Sequence, residues 1–230
     1  MPDYTKEYVK KRIIELAKNQ DWNHQYILPG GIKTRATDIR SPGYNINKWA
    51  RLEPIIDKLE PNGKTLLDVG CSDGYYSLQC SKKGMRHIEG IDPDELRIER
   101  ANFMKKISKV DNVTFRVADF YNLEENDKYD IILGLGLLHR IPDIVRCLEK
   151  MSNLSDVLVL EFKTYNSEED TCFSGKKETK SNKYNALHSI PTKNYVKNRL
   201  EGLGFMNNVF YNDNSHLNYK RTILVSRREE

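Results

Sequence analysis

Leu66-Leu67-Asp68-Val69-Gly70-Cys71-Ser72-Asp73-Gly74 runs from an apolar stretch into an acid and then into a glycine turn. A short strand over 65–69 followed by a helix over 75–83 fits this order. Gly70 lets backbone approach a ligand where a side chain would collide, and Gly74 lets the helix start pack near the strand. Backbone N–H groups at that helix start point toward whatever fills the crevice.

Outward from this turn, strands and helices alternate. Strands are expected at 87–91, 113–117, 129–133 and 157–162, with helices over 94–107 and 142–152. A helix over 191–202 precedes two last strands at 206–211 and 221–226. Such alternation implies parallel pairing with right-handed crossovers. The fold class is α/β: a Rossmann-like, doubly wound, mostly parallel seven-stranded sheet with helices on both faces. Its ligand crevice lies at the carboxyl ends of the strands. Residues 1–60 form an N-terminal helical cap over the active site, with helices at 4–19 and 46–60 around an irregular stretch at 21–45. Residues 61–230 form the ligand-binding domain, the whole being one unit. Within it, 164–190 is a polar stretch read as a mobile lid or an extended surface loop.

The chain has 230 residues, a hydrophobic share of 38% and a net charge of +4. Its pI is near 8.7. This mild basicity permits an anionic substrate and falls short of a dedicated nucleic-acid binder. Cys71, Cys80, Cys147 and Cys172 form no CxxC pair, so no metal site is expected and reduced thiols are. No stretch is apolar enough to span a bilayer, which points to a cytoplasmic protein.

The glycine turn resembles motif I of the class I methyltransferases, with Ser72 at a position usually held by a small residue. The cofactor that resemblance implies is S-adenosylmethionine (SAM). A dinucleotide site is the rival, but G-C-S-D-G lacks the third glycine of G-x-G-x-x-G. Asp73 also suits a cationic sulfonium and repels a pyrophosphate. Gly90-Ile91-Asp92-Pro93 ends the next strand about 20 residues on, where Asp92 is placed to accept from a ribose hydroxyl pair. In this family the acid of Val117-Ala118-Asp119-Phe120 accepts from the adenine amino group and Phe120 borders the ring. A helix cap or turn residue is the other reading of Asp119. Leu133-Gly134-Leu135-Gly136-Leu137-Leu138-His139-Arg140-Ile141-Pro142-Asp143 resembles the segment after the fourth strand, whose backbone at Gly134 and Leu135 lies beside the methyl donor. His139 is then a general base, an acceptor-orienting group or a structural histidine. Glu161, closing the fifth strand, is a second catalytic candidate, or else an acid at a loop edge.

A narrower resemblance rests on Trp22-Asn23-His24-Gln25-Tyr26-Ile27-Leu28-Pro29-Gly30-Gly31-Ile32-Lys33-Thr34 and Asn47-Lys48-Trp49-Ala50-Arg51-Leu52. Both are similar to relatives of the bacterial tRNA wobble-uridine carboxymethyltransferase group. That resemblance implies Lys48 as a cofactor-side residue beside Asp68, Gly70, Cys71, Ser72, Gly74, Asp92 and Pro93. It puts Trp22, His24 and Arg221 on the substrate side. The tRNA enzymes use carboxy-SAM. Arg221 matches one of their carboxylate contacts, while Leu138 stands where a tyrosine does and a gripping lysine has no counterpart. Ordinary SAM and a small-molecule, metabolite or sugar-type acceptor are therefore expected. The alternatives are tRNA as acceptor, through Lys10, Lys11, Lys176, Lys177, Lys180 and Lys183, and a non-catalytic SAM-binding module.

Overall fold

A computed structural model describes residues 4–35, 44–124, 128–176, 187–213 and 220–229. Helix α1 (Lys6–Ala17) begins at Thr5, whose hydroxyl accepts from Tyr8 N at 3.2 Å, and it buries Val9, Ile13 and Leu16 at helical spacing. The stretch read as irregular contains a small antiparallel ribbon, β1 (Ile27–Leu28) with β2 (Ile32–Lys33). Pro29-Gly30-Gly31 turns it, both glycines at positive φ. Helix α2 (Tyr44–Asp57) carries Pro54 inside it.

Then follow β3 (Thr65–Val69), α3 (Tyr75–Cys80), β4 (His87–Asp92), α4 (Glu95–Ser108), β5 (Val113–Val117), β6 (Ile131–Leu135), α5 (Ile144–Leu154) and β7 (Val157–Thr164). Last come β8 (Cys172–Lys176), β9 (Leu187–Pro191), α6 (Lys193–Gly202), β10 (Asn207–Asp213) and β11 (Lys220–Arg227). Seven strands form one sheet in the order β10-β11-β7-β6-β3-β4-β5. The pairs β3–β6, β6–β7 and β4–β5 are parallel, and β11 runs antiparallel to both β7 and β10. The expected fold class stands. Strand β6 starts two residues later than expected, because Tyr129 and Asp130 lead into it and Tyr129 N bonds Leu154 O instead.

Caps account for the helix starts. Asp94 accepts from Leu96 N and Arg97 N at the head of α4, Asp143 from Arg146 N at α5, and Thr192 from Tyr195 N at α6. Part of the 164–190 stretch is an antiparallel ribbon, β8 with β9. Its described base is tied down: Thr192 Oγ1 donates to Glu169 O at 2.6 Å, and Thr164 Oγ1 donates to Pro191 O at 3.0 Å. Residues 177–186, the middle of the expected lid with Lys177, Lys180 and Lys183, lie outside the described residues. No helix among the described residues is long and apolar enough to cross a membrane.

The chain divides into two units. One comprises Met1–Thr65 and Cys71–Asp119, the other Leu66–Gly70 and Phe120–Glu230.

Candidate functional site

In the first unit, the glycine turn is fixed by its own backbone and by side chains that reach it. Ser72 and Gly74 both have positive φ, +54° and +79°. A Cβ at Gly74 would lie 2.6 Å from Phe115 Cζ and 2.9 Å from Ala101 Cβ, so glycine here admits β5 and α4 to the helix start. Gly90 meets the same ring, with Phe115 Cδ1 at 2.6 Å from its would-be Cβ.

The Asp92 carboxylate is buried and held on both oxygens. Ser72 N donates to Oδ2 at 3.1 Å and Asp94 N to Oδ1 at 3.0 Å, with Arg97 Nη1 3.5 Å from Oδ2. A carboxylate has about four lone-pair sites, so this orientation keeps acceptor capacity for a hydroxyl pair. Asp119 is exposed, Phe120 is buried, and Pro93 is exposed. The Cys71 side chain is buried and its Sγ lies 3.7 Å from Ser72 O.

Asp73, expected to face a cationic ligand, points into the protein instead. It is 0% exposed, and its Oδ2 accepts from His24 N at 2.9 Å and from Asn23 N. Burial pushes its carboxyl above the usual range, opposed by the His24 amide and by Arg100. Arg100, also 0% exposed, faces Asp73 Oδ1 at 3.6 Å. It donates to Leu16 O at 2.7 and 3.1 Å, to Asp21 O at 3.0 Å and to Gln20 O. A buried cation thus satisfies Leu16 O, one of the carbonyls that α1 leaves open at its C-terminal end, and two carbonyls of the segment that follows. Nothing in the sequence singled out Arg100 from the other charged residues of α4.

Trp22 is fully buried, its Nε1 donates to Ile13 O at 3.2 Å, and Arg100 stacks on its ring at 5.3 Å. These contacts account for Trp22 as a core residue. His24 sits among aromatic rings, with centroids 5.7 Å from Tyr75 and 5.2 Å from Tyr76. The buried Lys48 ammonium lies 5.4 Å from the Tyr76 centroid.

In the second unit, Gly70 has φ +72°, and the nearest atom to a Cβ there is Leu137 Cδ1 at 3.7 Å. Asp68 is buried and opposite Leu133. Gly134 is closely packed, a Cβ there falling 3.1 Å from Leu160 Cδ2, and Leu135 stands opposite Glu161. The Glu161 carboxylate is buried and ion-paired, Oε1 to Arg221 Nη1 at 2.5 Å. His139 is buried on a short 3-10 helix (Leu138–Arg140), and its Nδ1 accepts from Lys163 N at 3.4 Å. Gly136 joins the two: its N donates to Glu161 O at 2.7 Å, and a Cβ there would lie 3.7 Å from Glu161 Oε2 and 3.9 Å from His139 Cε1. The sequence-predicted residues His139, Glu161 and Arg221 therefore cluster.

Among the described residues, no group of three or more His, Cys, Asp or Glu side chains could hold a metal ion.

A family described as a methyltransferase domain matches residues 60–207, well over half of the chain. The chain belongs to this methyltransferase family. Among its curated relatives is the tRNA U34 carboxymethyltransferase of Aliarcobacter butzleri (strain RM4018), 29% identical over 63% of this methyltransferase and 48% of the relative. The Pseudoalteromonas translucida (strain TAC 125) protein of the same name is 28% identical over 70% and 49%. This methyltransferase spans about half the length of the curated relatives it matches. Its fold is also that of the N-terminal domain of EvdMO1, solved with SAH bound, at 18% identity, TM-score 0.80 and coverage of 99% and 98%. Magnesium protoporphyrin IX methyltransferase from Synechocystis PCC 6803, solved with bound SAM, shares it at 17% identity and TM-score 0.64, over 84% and 86%.

Proposed function

We propose that this methyltransferase moves a methyl group from SAM to an oxygen or nitrogen of a small-molecule acceptor, of metabolite or sugar type. The observation that carries the cofactor reading is Asp92, a buried carboxylate aimed by the amides of Ser72 and Asp94 beside a turn at positive φ. Neighbours of the same fold were solved with SAM or SAH, which supports the same cofactor. Lys48, Asp68, Gly70, Cys71, Ser72, Gly74, Pro93, Asp119, Phe120, Gly134 and Leu135 complete the proposed cofactor set.

The reaction is an in-line displacement at the methyl carbon. The acceptor's lone pair forms the new bond, the carbon–sulfur bond breaks onto sulfur, and SAH leaves while the acceptor sheds a proton. Orientation supplies much of the rate, since well-aligned pairs reach effective molarities of about 10⁵ M or more. Because Nδ1 of His139 accepts from Lys163 N, the neutral ring assigned from that bond carries its proton on Nε2. This supports His139 as a group that orients an acceptor by donating to it, rather than as a base.

The Glu161–Arg221 pair bears on the donor. An arginine already neutralised by a carboxylate 2.5 Å away is a poor partner for a second carboxylate, which favours SAM over carboxy-SAM. His24 and Arg221 remain the substrate-side candidates. A second reading, a tRNA-modifying enzyme acting at a modified uridine, is favoured by the names of the curated relatives.

A thermal-shift titration with SAM, SAH, carboxy-SAM and NAD tests the cofactor. A ligand at about 100 times its Kd stabilises the fold by about 2.7 kcal/mol. SAM and SAH should raise the midpoint, NAD should not, and Asp92→Ala should abolish the effect. Stabilisation by NAD alone would refute the assignment. Salt-sensitive tRNA binding, stronger than that of any small acceptor, would favour the second reading.

A further inference from the structure

Asp73 belongs to the glycine turn, yet its charge is spent on the segment that follows α1. Its Oδ2 holds the amides of Asn23 and His24, and its Oδ1 makes no hydrogen bond among the described residues and faces the buried Arg100. Two more bonds join the same partners. Asn23 Nδ2 donates to Ser72 Oγ at 3.0 Å, and Tyr26 OH donates to the Asp73 carbonyl at 2.7 Å. Ser72, gripped through Oγ, in turn donates its N–H to Asp92.

Hydrogen bonds therefore tie residues 23–26 to Asp73 and to its chain neighbour Ser72, and Ser72 in turn to the Asp92 carboxylate. Ser72 has φ +54°, a conformation that a non-glycine residue keeps only when its surroundings enforce it. Its amide is fixed from one side by Asp92 and its hydroxyl from the other by Asn23. Arg100 pins the carbonyls of Leu16, Gln20 and Asp21, so the segment has no slack from which to release Asn23.

We infer that Asp73 is a positioning residue: it locks residues 22–26 against the glycine turn and thereby aims the Asp92 carboxylate at the ribose of the cofactor. The segment is a fixed wall of the turn. The inference rests on the SAM reading of Asp92.

The test uses the full chain as wild type, Asp73→Asn and Asn23→Ala. Affinities for SAM and SAH come from calorimetry, and the amide resonances of Ser72 and Asp94, both donors to Asp92, from NMR. Losing one such bond corresponds to roughly a 2- to 12-fold change in an equilibrium. Asn23→Ala should weaken SAM about threefold and Asp73→Asn at least about tenfold, and each should shift the Ser72 amide. A purely structural role would lower the unfolding midpoint and leave both the affinity and the Ser72 resonance at wild-type values, which overturns the inference. Should Asp73→Asn lack a cooperative unfolding transition, Asn23→Ala, which removes a half-buried side chain, decides alone. A wild type that binds neither SAM nor SAH defeats the cofactor reading; the Ser72 and Asp94 resonances of the variants still judge the coupling.

Discussion

Gly70 and Gly74 stand four residues apart in one turn, and they are glycine for different reasons. At Gly74 a methyl group would meet Phe115 and Ala101 at 2.6 and 2.9 Å and the backbone is also left-handed, so overpacking and conformational strain add. At Gly70 only the φ of +72° opposes a side chain, since the nearest atom is 3.7 Å away. Gly74→Ala should therefore cost about 2–4 kcal/mol and Gly70→Ala about 1–2 kcal/mol, read from urea unfolding. Equal costs would show that the Phe115 contact yields easily. The Glu161–Arg221 pair gives a sharper case. Arg221→Met takes the guanidinium from a buried carboxylate and should destabilise by about 3–5 kcal/mol. The double variant Glu161→Gln, Arg221→Met should lose clearly less than the sum of the two single losses. Strict additivity would mean that the two side chains do not sense each other.

Among the elements, the β8–β9 ribbon is joined to α6 by one residue between them, Thr192. Its hydroxyl accepts from Tyr195 N at the head of α6 and lies 2.6 Å from Glu169 O and 3.1 Å from Thr171 O. Thr192→Val keeps the shape and removes the hydroxyl. It should cost about 1–2 kcal/mol for the cap and speed amide exchange in both 169–172 and 193–196. Exchange that quickens in the helix alone would deny the link to the ribbon. The ribbon also shows where sequence reading reaches its limit. Strands β3 and β5 were legible to the residue, because β3 is an apolar run buried on both faces and β5, at the sheet edge, alternates buried Val113 and Phe115 with exposed Thr114 and Arg116. Cys172–Lys176 and Leu187–Pro191 carry mixed polar and apolar side chains, and what defines them is pairing with each other, which no local pattern announces. The site divides the same way. Asp92 and the glycines follow from spacing along the chain. The partners of Asp73 come from 50 residues away and from α4, so its direction could not be read from the turn.

For the molecule as a whole, the thiols report on folding. Cys71, Cys80 and Cys147 are buried, and Cys172 is half-buried. A thiol reagent at pH 8 should modify Cys172 first and the other three only on unfolding; early loss of a buried thiol would indicate local opening. Burial pushes the Cys147 thiol from 9.0 up to about 12, so the fold favours its neutral form. In the unfolded chain it ionises near 9.0. Its contribution to stability is fully present below pH 9 and is lost as pH rises toward 12. Cys147→Ala should flatten the decline in unfolding free energy across that window, and an unchanged slope would assign the decline to other groups.

The order of the sheet also bears on biosynthesis. Strand β11 sits between β7 and β10, yet it is the last of the three to be made. Until β11 is in place, β7 keeps an open edge of unpaired N–H and C=O groups, and β10, which joins the sheet through β11, has no strand to pair with. The half of the sheet that bears Glu161 closes only when residues 220–227 arrive and bring Arg221 to it. A ribosome stalled before that point would display a sticky, inactive nascent chain, a natural target for chaperones.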